Sequence, residues 1–119
     1  MPGVHHIALR VSDCLRSAAF YSGVLGLSEV RRAVDGGEIR AVWLQAGDTV
    51  LILEAALRGA GAEAGSGHVL AFAVDDLPEW EQRLASAGVP IADRTPHTLY
   101  VTDLDGHRVG LTVFGTVAH

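Results

Sequence analysis

Apolar and polar residues alternate over residues 6–11, and a second alternating segment runs over residues 69–74. Alternation with a period of two is typical of a β-strand that has one face covered by another layer. The positions predicted to face that layer are Ile7, Leu9, Val11, Leu70, Phe72 and Val74. The positions predicted for the opposite face are His6, Ala8, Arg10, Val69, Ala71 and Ala73. The sequence therefore predicts two strands, each with one open face.

Each alternating segment is followed by the signals of a helix, so the chain contains an internal repeat with an offset of 63 residues. Asp13 is the predicted N-cap of the first helix, and Asp75 or Asp76 that of the second. Gly26 and Gly88 follow the two helices as predicted stop signals. The predicted buried stripes are Cys14, Ala18, Tyr21 and Leu25 in the first helix, and Trp80, Leu84 and Ala87 in the second.

Turn sequences rich in Gly and Asp separate six further predicted strands, over residues 28–33, 38–45, 48–54, 91–94, 98–102 and 108–114. The predicted fold class is α+β, built from two tandem βαβββ modules. Module 1 spans about residues 1–54 and module 2 about residues 68–115, with a Gly- and Ala-rich connector over residues 55–67. Together they form one domain over residues 1–119.

Composition narrows the functional classes. The chain has 119 residues, of which 49% are hydrophobic and 19% are charged, and its nine basic residues against 14 acidic ones give a net charge of -5. This balance disfavours a nucleic-acid partner. Cys14 is the only cysteine, which excludes an intrachain disulfide framework and a cysteine-based zinc site. There is no long apolar run, so we expect a soluble, cytoplasmic protein with no membrane partner.

Candidate chemistry lies on the predicted open faces. Arg10 shares a strand face with His6, and an arginine on an inward-facing strand position is costly unless it meets an anion or an acidic partner. That partner is either a ligand or a carboxylate such as Glu54. Trp43 and Tyr100 lie in predicted strands, where flat aromatic side chains suit a planar ligand. We therefore take His6, Arg10, Trp43 and Tyr100 as candidate ligand-binding residues.

Three segments carry a resemblance to a known family: HHIALRVSDCLRSAAFYSGVLGL, GHVLAFAVDDL and YVTDLDGHRVGL. They resemble the vicinal oxygen chelate superfamily, which includes glyoxalase I, extradiol dioxygenases, methylmalonyl-CoA epimerase, fosfomycin-modifying transferases and bleomycin-binding resistance proteins. The resemblance implies curled mixed sheets around an open cleft, usually completed in a homodimer. In the enzymes of the superfamily, His and carboxylate side chains hold a divalent metal in that cleft, such as Zn, Ni, Mn or Fe.

The resemblance assigns metal-ligand positions that this chain fills only in part. His6 matches the first ligand, whereas Val69 stands at the corresponding position of the second half, next to His68. The last ligand, a Glu in the closing strand, corresponds to Gly110. For the remaining carboxylate two readings stay open: Glu54 supplies it, or Ile52 holds the equivalent place.

A catalytic metal site needs about three protein ligands and an open position. The vacancies at Val69 and Gly110 favour a metal-free protein that binds a small, partly aromatic organic molecule, as the bleomycin-binding proteins do, with no cofactor. The alternative is a metal-dependent lyase, epimerase or dioxygenase that uses His6, Glu54 and His68. A third possibility is an interaction domain with a vestigial cleft.

Overall fold

A computed structural model of the chain describes residues 2–58 and 68–115, and each of its two units contains one four-stranded mixed sheet. The units comprise Met1–Glu63 and Ala64–His119. Residues 59–67 of the predicted connector lie outside the described residues. Among the described residues, we find no helix with the length and apolar character needed to cross a membrane. The fold is α+β with two tandem modules, as predicted.

The first unit contains β1 (His6–Arg10), α1 (Cys14–Ala18), a π-helical segment (Ala19–Val24), β2 (Ser28–Asp35), β3 (Glu38–Ala46) and β4 (Thr49–Glu54). Its strand order is β1-β4-β3-β2. The pairing of β1 with β4 is parallel, and the other two pairings are antiparallel. The first strand of the unit is thus inserted beside its last.

The second unit contains β5 (Leu70–Ala73), α2 (Leu77–Ser86), β6 (Asp93–Arg94), β7 (Thr98–Thr102) and β8 (Arg108–Thr112). Its order, β5-β8-β7-β6, repeats the topology of the first sheet, with β5 parallel to β8. Strand β6 is shorter than the predicted 91–94, although the Ala92 N–H still donates to the carbonyl of Tyr100 at 2.7 Å. The shared topology agrees with the repeat read from the sequence.

The predicted covered faces are largely buried. Leu9 and Val11 are buried in the first unit, while Ile7, at the start of β1, is 37% exposed. Val74 is buried in the second unit, and Leu70 and Phe72 are half-buried. The other buried strand residues of the two cores, apart from the open-face positions described below, are Val42, Leu44, Leu51, Leu53, Leu99, Val101, Val109 and Leu111. The opposite face of each sheet carries polar and aromatic side chains, although Ala41, Ile52 and Thr98 on these faces are buried as well.

The first helical region differs from the single α-helix that the sequence predicts. Asp13 caps α1 by accepting a hydrogen bond from the N–H of Arg16 at 3.1 Å, but from Ala19 the helix widens. The N–H of Leu25 donates to the carbonyl of Phe20, five residues back, at 3.1 Å. A π turn rotates less per residue than an α turn, so the adjacent Phe20 and Tyr21 both face inward and are both buried.

The second helix begins at the later of the two predicted caps. Asp76 accepts from the N–H of Glu79 at 3.2 Å, and Pro78 lies in the first turn. Leu84 is fully buried, but Ala87 is exposed and lies just after the helix, where the chain turns at Gly88 with a φ of 72°. The predicted buried stripe is therefore wrong at Ala87, because the helix ends one residue earlier.

The turn before β8 is organised by a buried carboxylate. Asp103 is 7% exposed, and its Oδ1 accepts the N–H of Asp105 at 2.9 Å and that of His107 at 2.8 Å. Gly106 closes the turn with a φ of 82°, a conformation that glycine adopts without strain. Asp103 thus holds the start of the strand that carries Gly110.

We expect Asp103→Ala to lower the free energy of unfolding by about 2 kcal/mol, because two buried N–H groups lose a charged acceptor. Chemical denaturation with a two-state fit measures the change. Asp48→Ala is the matched control, since Asp48 is an exposed acid in the β3–β4 turn and its loss should change stability by less than about 0.5 kcal/mol. Equal effects of the two substitutions would contradict the role assigned to Asp103.

Candidate functional site

The open face of the first sheet is defined by the pairing register. His6, Ala8 and Arg10 lie opposite Val50, Ile52 and Glu54 of β4, which in turn lie opposite Gln45, Trp43 and Ala41 of β3. Arg31 and Ala33 of β2 lie opposite Trp43 and Ala41. The first-sheet face therefore brings His6, Arg10, Trp43 and Glu54 onto one surface, as the alternation predicts for His6 and Arg10.

The two histidines at the start of β1 interact with each other. His5 and His6 are exposed, and their Nδ1 atoms lie 2.8 Å apart, with one ring edge directed at the other at a centroid distance of 5.1 Å. Alternation extended back to His5 predicts opposite faces for these side chains. β1 begins only at His6, so His5 lies before the strand, and its ring approaches that of His6.

Arg10 lies at the other end of β1. Its Nη1 donates to the backbone carbonyl of Leu57 at 3.2 Å, and Glu54 is its partner across the β1–β4 ladder. His6 is opposite Val50, so Glu54 is displaced from His6 by four residues, about 13 Å along the sheet. The register places Glu54 beside Arg10 rather than beside His6.

The open face of the second sheet has a small-residue floor with an aromatic side chain on it. Tyr100 lies opposite Gly110 on one side and Asp93 on the other, and Gly110 lies opposite Ala71. A Cβ at Gly110 would lie 3.3 Å from Cε1 of Tyr100, a contact that only a shift of the ring would relieve. The ring therefore packs closely against Gly110, and a side chain at position 110 would have to shift it by a few tenths of an ångström.

Tyr100 is fixed by a charged group. The guanidinium of Arg108 stacks on the ring with its Cζ 4.2 Å from the centroid, and its Nη2 lies 3.2 Å from Oδ2 of Asp93. The carboxylate holds the guanidinium and the guanidinium covers the ring, an arrangement favoured by the quadrupole of the aromatic system. Tyr100 is consequently half-buried with a defined orientation.

His68 lies two residues before β5, beside the turn that Asp103 organises. Its ring is 6.2 Å from that of His107, measured between centroids. Val69, which follows, is 43% exposed. The second unit therefore places His68 close to His107. The other two candidate metal ligands, His6 and Glu54, belong to the first unit.

The two registers settle which residue of β4 corresponds to Gly110. In the second sheet Gly110 lies opposite Ala71, two residues after Val69. In the first sheet Ile52 lies opposite Ala8, two residues after His6. Ile52 therefore holds in the first sheet the place that Gly110 holds in the second, and Glu54 lies two residues beyond it.

This equivalence tests the metal site that the family resemblance implies. Of the four related positions, His6 carries a donor atom, while Ile52, Val69 and Gly110 carry none. Among residues 2–58 and 68–115, no group of three or more His, Cys, Asp or Glu side chains is arranged to hold a metal ion. The side chains at these positions thus do not supply the donor set of His and carboxylate groups, and Tyr100 packs beside the last of them, Gly110.

The family assignment follows from the sequence as well as from this geometry. The family model described as the Glyoxalase/Bleomycin resistance protein/Dioxygenase superfamily matches residues 3–111, which is most of the chain. The chain belongs to this superfamily, as the resemblance indicated. The comparison with curated proteins gives no significant match.

Several solved structures share this fold, and their names describe different functions. Lactoylglutathione lyase from Agrobacterium tumefaciens is 23% identical with a TM-score of 0.71, covering 95% of this chain and 96% of that one. TnmS3, an antibiotic binding protein from Streptomyces sp. CB03234, is 23% identical with a TM-score of 0.74 over 94% and 95% of the chains. The fosfomycin resistance protein FosX from Mesorhizobium loti is 21% identical with a TM-score of 0.76 over 95% and 92%. At these identities the likeness establishes the fold.

Reasoning from the sequence missed two residues of these faces and the structural role of a third. Arg31 and Arg108 lie on the open faces beside Trp43 and Tyr100, and alternation could have placed them there had the strand pairing been known. Gly110 was noted only as a vacant position. A glycine inside a strand is also a signal that another group approaches closely, and here that group is the Tyr100 ring.

We expect Gly110→Val to lower the free energy of unfolding by about 1–3 kcal/mol, because the new side chain displaces the Tyr100 ring. In a Tyr100→Ala background the same substitution should cost less by at least about 0.5 kcal/mol, since the obstruction is gone. Denaturant unfolding of the four proteins of the cycle measures this coupling. Ala73→Val, at an exposed position on the same face, is the control. A cost that is the same in both backgrounds would contradict the close approach.

Proposed function

We propose that this protein binds a small, partly aromatic organic molecule on the open faces of its sheets, without a metal ion and without chemistry. The observation that carries the proposal is the Tyr100 ring above Gly110, in the place where the family's last metal-ligating side chain would stand. An aromatic surface replaces a coordinating group there. Trp43 provides a second aromatic surface, at the equivalent position opposite Ile52 of the first sheet.

The chemical character of these faces supports binding rather than catalysis. Ala71 and Ala73 are exposed on the second sheet beside Gly110, so that face offers a smooth apolar floor next to Tyr100. Flat aromatic walls with a few polar groups are typical of sites for planar ligands. TnmS3, which has the same fold, is described as an antibiotic binding protein, so the fold supports this kind of function.

We further propose that the protein works as a homodimer in the cytoplasm.

The alternative is a metal-dependent lyase, epimerase or dioxygenase that uses His6, His68 and Glu54. One observation supports it: His6, at the position of the family's first metal ligand, is exposed. Two fold neighbours, a lyase and a fosfomycin resistance protein, add to its support. The two proposals differ in whether a metal binds at full stoichiometry.

We expect the purified protein, after incubation with Zn(II), Ni(II), Mn(II) or Fe(II) and removal of excess metal, to retain no stoichiometric ion, because three of four donor positions carry no ligating atom. Elemental analysis by mass spectrometry measures the content. His6→Ala should then behave like the parent protein. Stoichiometric metal that is lost in His6→Ala would overturn the metal-free proposal in favour of the enzyme.

We expect planar aromatic compounds to stabilise the protein in a thermal-shift screen. A compound present at about 100 times its Kd should raise the free energy of unfolding by about 2.7 kcal/mol. The double substitution Trp43→Ala and Tyr100→Ala should abolish the shift, and at least one of the two single substitutions should reduce it, judged against each variant's own melting temperature without ligand. Trp80→Phe should retain it, because Trp80 lies on α2, where the guanidinium of Arg83 stacks on its ring. A response that is insensitive to Trp43 and Tyr100 would exclude the proposed surfaces.

A further inference from the structure

An arginine without an acidic partner lies on the aromatic surface of the first sheet. Arg31 is the partner of Trp43 in the β2–β3 ladder, and its Cζ lies 5.1 Å from the centroid of the indole ring. Within the described residues its guanidinium makes no ion pair and no hydrogen bond to a protein group. In the part of the chain that the structure describes, the guanidinium of Arg31 thus interacts with Trp43 alone.

The neighbouring arginine on β2 is different. Arg32 faces the other side of the sheet, opposite Val42, and both oxygens of the Glu29 carboxylate accept hydrogen bonds from it. These hydrogen bonds hold the pKa of Glu29 below its ordinary value and raise the pKa of Arg32. Two adjacent arginines therefore differ: Arg32 has a carboxylate partner, whereas among residues 2–58 and 68–115 no carboxylate pairs with Arg31.

In the second sheet an arginine also lies on an aromatic ring, and there it contacts a carboxylate as well. There the guanidinium of Arg108 lies on Tyr100 and also contacts the carboxylate of Asp93, at 3.2 Å. Asp93 is the edge-strand partner of Tyr100, as Arg31 is the edge-strand partner of Trp43. The second sheet combines aromatic ring, guanidinium and carboxylate, whereas the first combines only ring and guanidinium.

The charge of the first-sheet face differs in sign from the net charge of the chain. Its charged side chains are Arg10, Arg31 and Glu54, so the face carries two arginines against one acid in a chain whose net charge is -5. Glu54 lies opposite Arg10, two strands from Arg31 and about 10 Å across the sheet from it. The face thus attracts anions although the whole chain repels them.

We propose that Arg31, whose guanidinium lies over the Trp43 ring, binds the carboxylate of an aromatic acid, in the place that Asp93 takes on Arg108. A guanidinium stacked on a ring keeps its N–H donors in its own plane, where they match the two oxygens of a carboxylate. The aromatic part of the ligand then lies beside the indole of Trp43. This inference rests on the proposed function and deepens it, since it names the ligand class as an aromatic carboxylate.

The first test compares 2-naphthoate with 2-naphthamide, which share one ring system and differ in charge, by isothermal titration calorimetry at low ionic strength. The parent protein should prefer the acid by about twofold to fivefold, as expected for one exposed charge pair. Arg31→Gln should remove the preference, and Arg31→Lys should lower it because an ammonium lacks the planar fork of donors. Arg32→Gln is the matched control and should keep it. Added salt should weaken binding of the acid but not of the amide.

The second test needs no organic ligand. In a Trp80→Phe background Trp43 is the only tryptophan, so its fluorescence reports on this surface. Iodide, an anion, should quench the fluorescence of Trp43 less in the Arg31→Gln variant than in the Trp80→Phe protein that retains Arg31. Neutral acrylamide should quench the two proteins equally. Unchanged iodide quenching would overturn the anion site.

The outcomes separate this inference from the proposed function. Equal binding of acid and amide, dependent on Trp43, would overturn the carboxylate site and leave aromatic binding standing. An acid preference that survives Arg31→Gln would also overturn the role of Arg31. Binding of neither probe would overturn both the aromatic carboxylate and the proposed aromatic ligand, even if iodide quenching depends on Arg31.

Discussion

The parallel pairing of the first and last strands in each sheet is the constraint on which the candidate site depends. Because side chains alternate with period two, a shift of one residue in this pairing would send the whole face to the opposite side. The register observed in the first sheet sets Ala8 opposite Ile52 and Arg10 opposite Glu54. The same rule in the second sheet sets Ala71 opposite Gly110. These partners decide which residues share the open surfaces.

The fold could largely be predicted from the sequence because its signals are local. Alternation in β1, the cap at Asp13 and the turn at Gly88 each depend on a few neighbouring residues, and each appears in the structure. The widening of the helix after Ala18 could not be predicted in this way. It depends on burial of two adjacent aromatic residues, Phe20 and Tyr21, which is a property of the packing around them.

The candidate site was less predictable because it depends on pairing between strands that are distant in sequence. The sequence left open whether Ile52 or Glu54 corresponds to the closing-strand position, and only the β1–β4 register decides for Ile52. Likewise, Arg31 and Trp43 are 12 residues apart, and no local pattern says that a bulge after Glu29 brings them opposite each other. Residue types suggested the chemistry, while register determined which residues meet.

Gly110 and Tyr100 illustrate how one backbone can serve different chemistries. A carboxylate at position 110 needs room above the strand, and an aromatic ring at position 100 needs the same room, since a single Cβ at 110 already comes within 3.3 Å of the ring. The two groups therefore compete for neighbouring space on this face, and a side chain at 110 requires the Tyr100 ring to shift. Close packing gives such a shift a cost in lost contacts. A superfamily that contains both metal enzymes and ligand-binding proteins is consistent with a fold in which such exchanges leave the core intact.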